Sequence, residues 1–276
     1  MKYEEILYEV VDAIATVTLN RPEKLNAWTM HMGAEVRHAL LAADKDPGIR
    51  VIIVTGAGKG YCAGADMDML QAAQGSGDAS ALSVNDPKLS VQMDTSLPAA
   101  FRGDYSYPLG MQKPVIAAVN GVAAGLGLSY ILYYDMRIAS DRARLGTIFS
   151  RRGLVAEHGS AYLLPQLVGM ANACDILFSG RLVSAEEALQ MGLVNRVVPH
   201  DTLMPTVREI ATEMATLCSP RSIRFMKRQL YSDLFNDLQT SMEIADREMI
   251  ASFTTEDFRE GVASFLQRRK PQFTGK

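Results

Sequence analysis

Two short segments rich in small residues offer backbone N–H groups that could hold a negatively charged oxygen. Residues 60–67 (GYCAGADM) follow the apolar run 51–55, and residues 120–127 (NGVAAGLG) follow the apolar run 114–119. Each segment also precedes a predicted helix, so each predicts a strand–turn–helix unit. A helix N-terminus favours anions, because its first N–H groups are unpaired and the helix dipole is positive there. Two such units that direct one N–H each at the same carbonyl oxygen form an oxyanion hole.

The surrounding chain alternates predicted strands and helices. Ala15, Val17 and Leu19 alternate with threonines, which predicts a half-buried strand. Apolar residues from Met32 to Ala43 recur at helical spacing. This alternation favours an α/β fold with right-handed crossovers.

Beyond Gly180 the pattern changes from mixed to helical. Ser184 and Glu187 have the spacing of a capping box, and Gly192 fits the end of the helix that follows. Four further helices are predicted, at residues 202–218, 221–232, 235–252 and 255–268. The sequence therefore predicts an α/β core followed by a helical tail.

Composition excludes several classes of function. The chain has 276 residues, a net charge of −3, 48% apolar and 21% charged residues, which gives no electrostatic basis for binding nucleic acid or a membrane surface. We expect no apolar stretch of membrane-spanning length and no targeting segment, and hence a cytoplasmic protein. Three widely spaced cysteines do not predict disulfides, and four histidines show no metal-ligand spacing, so we expect no metal site.

Several segments, in this order, carry a resemblance to a known family. They are LNRPEKLNA at 19–27, the two small-residue turns, LPQLVG at 164–169, SGR at 179–181, MGLVN at 191–195 and TEDFREG at 255–261. In these motifs the chain resembles the crotonase (enoyl-CoA hydratase/isomerase) superfamily. The resemblance implies a spiral core of ββα turns over residues 1–200. It also implies a C-terminal helical region, 201–276, that packs between the subunits of a homotrimer or of a dimer of trimers.

The resemblance also implies a small-molecule substrate, an acyl-CoA thioester. The N–H groups of Ala65 and Leu126 fall where the family holds the thioester oxygen and stabilises the enolate formed next to it. Coenzyme A enters as part of the substrate, so no separate cofactor is expected. The implied contacts with coenzyme A are Lys24, Ala27, Ala63, Asp66, Met67 and, from a neighbouring subunit, Arg268. Asp66 has a second interpretation, as the N-cap of the helix that follows.

Two positions depart from the family's hydratases, which add water with a pair of glutamates. The resemblance places those glutamates at Ser129 and near Phe149 in this chain. A serine without a partner is a poor general base, and phenylalanine has no ionisable group. Water addition by two carboxylates is therefore not expected.

Glu157 offers a different chemistry. It lies eight residues before Pro165, where family members that shift double bonds in enoyl-CoA chains carry a carboxylate. A single base beside an oxyanion hole is enough to move a proton between two carbons. The alternative is a carboxylate near a helix N-terminus, stabilised by the dipole, and His158 beside it is interpreted as a packing residue. Arg151 and Arg152 are either a site for a substrate carboxylate or a solvated pair.

The irregular segment 71–112 has two interpretations. A long loop in a compact domain tends to be functional, and in this family the region covers the acyl pocket, which makes Tyr105 and Tyr107 pocket candidates. The alternative is an exposed linker.

The residues together predict an enzyme that isomerises the double bond of an enoyl-CoA with Glu157 as its single acid/base group. Three alternatives stay open. The first is an enoyl-CoA hydratase (a lyase of fatty-acid-type β-oxidation) with a variant site. The others are a C–C bond hydrolase and a non-catalytic CoA-binding homologue.

Overall fold

The computed structural model describes residues 2–73 and 87–276 of the chain. Within them, ten strands form two sheets: a six-stranded sheet in the order β1-β2-β3-β5-β7-β10 and a four-stranded sheet in the order β4-β6-β8-β9. Neighbouring strands are parallel except for the pairs β1–β2 and β8–β9. The strands are β1 (Ile6–Val11), β2 (Ile14–Leu19), β3 (Val51–Gly56), β4 (Gly60–Cys62), β5 (Val115–Val119), β6 (Val122–Ala124), β7 (Met136–Ser140), β8 (Arg144–Gly146), β9 (Val183–Ser184) and β10 (Arg196–Val198).

Three pairs of consecutive strands divide between the two sheets in the same way. The first strand of each pair (β3, β5, β7) joins the larger sheet, and the second (β4, β6, β8) joins the smaller one. Helices α2 (Met67–Ala73) and α3 (Leu126–Ile131) follow the first two pairs directly. This repeat is a ββα spiral, so the predicted α/β class and spiral core are confirmed.

The larger sheet is covered on both faces. Helix α1 (Met30–Lys45) packs on one face through the apolar residues that the sequence predicted, all buried. Helix α6 (Leu203–Leu217) packs on the other face, where Val207 contacts the cluster that contains Ile14. The prediction of a half-buried β2 is therefore wrong, because α6 covers the side that carries Thr16, which is only 6% exposed.

The predicted tail helices are present. Ser184 Oγ accepts a hydrogen bond from the N–H of Glu187, which confirms the predicted cap of α5. The helices are α5 (Ala185–Gln190), α6, α7 (Pro220–Ser232), α8 (Leu238–Ser252) and α9 (Glu256–Leu266). Buried Lys227 on α7 lies 2.8 Å from Asp135 in the core. The division into units at residue 200 stays a prediction.

Among the described residues, one helix is long and apolar enough to cross a membrane by length and composition alone. This helix is α4 (Ser160–Ser179), so the expectation that no stretch reaches that length is wrong. However, the backbone at Gly169 is not helical (φ 75°, ψ 159°), and α4 is two shorter helices that meet at a kink. Leu164 and Ile176 are fully buried in the core. Core helices of water-soluble proteins meet the same criteria, so α4 is weak evidence for a membrane span.

The segment before β5 packs on the body of the protein where it is described. Short 3-10 helices form at Pro87–Leu89, Ala99–Phe101 and Tyr107–Gly110. Phe101 and Tyr107 are buried, so the exposed-linker interpretation is wrong for residues 101–111, whereas most of residues 88–100 are exposed. Residues 74–86 of the irregular segment 71–112 lie outside the described residues.

Candidate active site

The two small-residue turns lie side by side. Gly64 has φ +109°, and a Cβ atom there would stand 3.1 Å from the carbonyl oxygen of Ala124 in the other turn. A Cβ on Gly127 would stand only 2.4 Å from the carbonyl oxygen of Cys62 in the first turn. Both positions therefore need glycine, which has no Cβ and tolerates positive φ. This contact brings the two predicted helix N-termini to one place.

In the first turn, the backbone on either side of Ala65 is held by Trp28. The Trp28 N–H donates to the Gly64 carbonyl oxygen at 2.7 Å, and the Asp66 N–H donates to the Trp28 carbonyl oxygen at 2.9 Å. The N–H of Ala65 itself donates to no other group among the described residues. It is therefore available to a ligand in a rigidly held segment.

The segment between β2 and α1 supports this turn. Arg21 donates through Nη1 to the Ala27 carbonyl oxygen at 2.7 Å and to Asp66 Oδ2 at 2.9 Å. Asn26 is fully buried, and its Nδ2 donates to the Gly60 carbonyl oxygen at 2.8 Å. In the sequence, this segment is distinguished only by its resemblance to the family. The N-R-P-x-x-x-N-A motif was the signal for both supporting residues.

The second turn starts helix α3 with its first N–H unpaired. Gly125 donates to the Gly146 carbonyl oxygen at 2.9 Å, and its backbone angles (φ 53°, ψ −122°) suit only glycine. The next N–H, that of Leu126, donates to no group in the described part of the chain. At the other end of α3, Arg137 Nη1 donates to the carbonyl oxygen of Ile131 at 3.3 Å. Helix α3 is thus fixed at both ends.

A cavity of about 250 Å³ opens between these turns and the loop that joins β8 to α4. Eight of the nine predicted site residues line it: Lys24, Ala27, Ala63, Ala65, Asp66, Met67, Leu126 and Glu157. The ninth, Arg268, follows α9 on the surface and does not line this cavity. The lining also contains Leu70, Ile148 and Leu154, which no sequence pattern distinguished from ordinary apolar residues.

Two carboxylates line the cavity among the described residues, and their surroundings differ. Burial alone would raise the pKa of Asp66, but hydrogen bonds from the Asp68 N–H and from Arg21 outweigh it and lower that pKa. The bond to Asp68 also confirms Asp66 as the cap of α2. Burial raises the pKa of Glu157, and no guanidinium or ammonium group of the described residues pairs with it. Opposite shifts in one cavity are typical of carboxylates with different roles.

Glu157 lies in a loop whose backbone is tightly constrained. Its carbonyl oxygen accepts from the Ser160 N–H at 2.9 Å and from Ser160 Oγ at 2.7 Å. Helix α4 begins three residues after Glu157, so the interpretation of Glu157 as a carboxylate near a helix N-terminus stays a prediction, although the Glu157 side chain makes no capping hydrogen bond to this helix. His158 Nε2 lies 3.7 Å from Glu157 Oε2, and its ring packs on Tyr105 with a centroid distance of 3.9 Å. Burial lowers the pKa of His158, which favours the neutral ring.

The other residues that the sequence singled out lie in different places. Ser129 is buried, does not line the cavity, and its Oγ has no hydrogen-bond partner among the described residues. Phe149 lines the cavity. Tyr107 is fully buried with its hydroxyl against that of Tyr130, and neither Tyr107 nor Tyr105 lines the cavity. No group of three or more His, Cys, Asp or Glu side chains within residues 2–73 and 87–276 could hold a metal ion.

Comparisons with known proteins agree with this geometry. The sequence profile of the enoyl-CoA hydratase/isomerase family matches residues 9–276. A 1,2-epoxyphenylacetyl-CoA isomerase of Escherichia coli (strain K12) is 35% identical over 274 residues, 99% of each chain. A crotonyl-CoA hydratase of Syntrophomonas wolfei is 31% identical over the whole of both chains. The solved structure of an enoyl-CoA hydratase from Bacillus anthracis is 28% identical, with a TM-score of 0.89 over 99% of this chain and 100% of that one.

Proposed function

Because this chain belongs to the enoyl-CoA hydratase/isomerase family, we propose that it shifts the double bond of an enoyl-CoA thioester. This proposal rests on one observation, which is that only one of the two carboxylates in the cavity is paired with a cation. Glu157 is the one without a cationic partner, while Asp66 is held by Arg21. The positions that the hydratase pattern assigns to glutamates are Ser129 and Phe149. A site with one available base suits a proton shift better than water addition by two carboxylates.

In this reaction the thioester oxygen accepts hydrogen bonds from the N–H groups of Ala65 and Leu126. The Glu157 carboxylate removes a proton from carbon 2 of a 3-enoyl-CoA, and the electron pair of that C–H bond moves toward the thioester oxygen. The resulting enolate is stabilised by the two donors, each of which contributes about 10²–10³ in rate. Glu157 then returns the proton to carbon 4, which leaves the double bond between carbons 2 and 3.

The raised pKa of Glu157 suits both removal of the proton from carbon 2 and its return to carbon 4. A carboxylate with an ordinary pKa is a weak base at neutral pH, whereas one whose pKa burial raises accepts and returns a proton more readily. Lys24, Ala27, Ala63, Asp66 and Met67 line the same cavity from the side of β2 and β4, and we assign the coenzyme A part of the substrate to them.

Hydration is the second candidate, because a crotonyl-CoA hydratase is among the similar proteins. In that reaction Glu157 would activate a water molecule for addition to a 2-enoyl-CoA, without the second glutamate of the hydratase pattern. The two reactions use different substrates and are separable by assay.

The test is the Glu157→Gln variant, assayed on a 3-enoyl-CoA for conjugation of the double bond and on a 2-enoyl-CoA for water addition. We expect conjugation to fall by about 10²–10⁴ while the substrate still binds, because glutamine keeps the shape but cannot carry the proton. Glu186→Gln, at an exposed glutamate of α5 outside the cavity, is the matched control and should behave as wild type.

Hydration that survives in Glu157→Gln would overturn the role of Glu157. Hydration without conjugation in the wild type, lost in the variant, would favour the second candidate. Binding of enoyl-CoA thioesters without turnover in the wild type would favour a non-catalytic homologue.

We also propose that copies of the chain associate through the C-terminal helices, as a trimer or a dimer of trimers. Large apolar side chains are exposed on α8 and α9, and Phe265 at the end of α9 is 83% exposed. Exposed apolar patches of this kind mark protein–protein contacts. In such an assembly Arg268, which follows α9, would reach the coenzyme A bound to a neighbouring copy.

A further inference from the structure

The cavity has more positive than negative charge available to a ligand. Its charged lining side chains are Lys24, Asp66, Arg152 and Glu157. Arg21 lies 2.9 Å from Asp66 and neutralises it. Glu157 is then the one carboxylate of the lining that no guanidinium or ammonium group of the described residues pairs with. Lys24, from the segment between β2 and α1, and Arg152, from the loop between β8 and α4, therefore line the cavity as cations, which suits a substrate with negative charge at both ends.

Arg152 differs from its neighbour Arg151 although both follow Ser150 in one short helix. The Nε of Arg151 donates to the Ser179 carbonyl oxygen at 2.8 Å, and this side chain does not line the cavity. Arg152 lines the cavity, and its guanidinium group makes no hydrogen bond or ion pair within the described residues. The sequence left open whether this pair binds a carboxylate or is solvated, and the structure separates the two residues.

The backbone that carries Arg152 is held in place. The N–H groups of Arg152 and Leu154 both donate to the Phe149 carbonyl oxygen, at 2.8 Å and 3.0 Å, and Gly153 between them has a left-handed backbone. This closed turn fixes the point from which the guanidinium group extends. A fixed origin reduces the entropy lost when a long side chain binds a ligand.

We place Arg152 on the acyl side of the cavity, because Arg152 and Glu157 line the cavity from the same loop. It precedes Glu157 by five residues in the loop between β8 and α4, and the base must reach the acyl carbons from which it moves a proton. Lys24, by contrast, lies between β2 and α1, the side assigned to coenzyme A. The lining residues Ile148, Phe149 and Leu154 provide an apolar path for the chain of the acyl group.

We propose that Arg152 binds a carboxylate at the far end of the acyl group, so that the preferred substrate is the CoA monothioester of an unsaturated dicarboxylic acid. This inference rests on the proposed function for the orientation of the substrate. Guanidinium groups bind carboxylates through two parallel hydrogen bonds, which a lysine cannot reproduce.

The experiment compares two ligand pairs that differ only in the terminal carboxylate. Wild type, Arg152→Gln and Arg151→Gln are assayed with 3-hexenoyl-CoA and with the CoA monothioester of 3-hexenedioic acid. The saturated pair, hexanoyl-CoA and adipoyl-CoA, is titrated by calorimetry to measure binding without turnover. Arg151→Gln is the matched control, because it removes the same charge one residue away and outside the cavity.

We expect the wild type to prefer the dicarboxylic member of each pair. Arg152→Gln should lower that preference by about tenfold or more, through KM in the assay and Kd in the titration. Arg151→Gln should keep the wild-type preference. Arg152→Lys should fall between wild type and Arg152→Gln, because it keeps the charge but loses the paired geometry.

Equal losses on both members of a pair, or no change in preference, would overturn the proposal. Equal losses that disappear with pantetheine thioesters would mean that Arg152 contacts the phosphates of coenzyme A instead. Absence of turnover in the wild type would count against the proposed function alone, because the calorimetric preference is measured without any reaction. An Arg152-dependent preference in binding would then still support the carboxylate site.

Discussion

The two walls of the cavity present different kinds of group to a ligand. The wall formed by the two turns is buried and presents backbone N–H groups, those of Ala65 and Leu126, whose positions depend on close contacts of glycines. The opposite wall, the loop between β8 and α4, is partly exposed and presents the side chains of Arg152 and Glu157. Backbone donors survive changes of side chain, whereas side-chain groups change with a single substitution. The same fold can therefore keep the two backbone donors while the loop changes the side chains that it presents to a ligand.

The largest expected effect comes from a substitution in the buried wall of the cavity. Gly64→Ala places a Cβ atom 3.1 Å from the Ala124 carbonyl oxygen on a backbone with φ +109°. We expect kcat for a 3-enoyl-CoA to fall by about 10²–10³, because the following N–H, that of Ala65, moves away from the thioester oxygen. Steady-state kinetics and thermal unfolding of the variant are measured together.

Gly153→Ala is the matched control in the loop. Gly153 also has positive φ, +70°, but a Cβ atom there meets nothing within 4 Å. The substitution should cost about 1–2 kcal/mol of backbone strain and less than tenfold in kcat. Similar losses of kcat in both variants would mean that the buried wall has no special role.

The same contrast explains what the sequence could and could not predict. The turns were predictable because small residues between an apolar run and a helix act locally, within residues 60–67 and 120–127. The double-sided burial of β2 was not, since α6, which covers its second face, lies far along the chain. Nor did any pattern place Arg152 in the cavity and Arg151 outside it, because that depends on how the loop packs against the end of α4.

The pH dependence of kcat/KM should distinguish the two carboxylates of the cavity. Burial raises the pKa of Glu157 from 4.5, so the base form is lost at a higher pH than for an ordinary glutamate. We expect kcat/KM to fall about tenfold per pH unit below an inflection that lies above 4.5. The pKa of Asp66 is lowered from 3.8, so Asp66 does not titrate in this range.

Two variants identify the residue whose titration causes this inflection in kcat/KM. Burial lowers the pKa of His158 from 6.5, so this residue is the rival assignment. His158→Asn should keep the fall of kcat/KM at low pH, and Glu157→Gln should lose it.

The raised pKa of Glu157 also means that the folded state binds the Glu157 proton more tightly than the unfolded chain. The contribution of Glu157 to stability should therefore decrease as pH rises from 4.5 through the raised pKa, and this contribution should be absent in Glu157→Gln.

The smallest expected effect concerns the position where the resemblance expects a hydratase glutamate. Ser129 is 1% exposed, and its Oγ has no partner among the described residues, so Ser129→Ala removes a buried hydroxyl that makes no hydrogen bond there. We expect kcat/KM within about twofold of wild type and stability within about 1 kcal/mol, because loss of an unpaired buried polar group is close to neutral.

Ser140→Ala is the matched comparison, because the Ser140 hydroxyl is fully buried but accepts from the Arg142 N–H at 3.1 Å. It should lower the free energy of unfolding by about 1–2 kcal/mol, which chemical denaturation resolves. A loss of activity above tenfold in Ser129→Ala would place that hydroxyl in the reaction, and Glu157 would no longer be the single acid/base group. An unchanged rate would leave Glu157, in the loop between β8 and α4, as the single acid/base group of the proposed reaction.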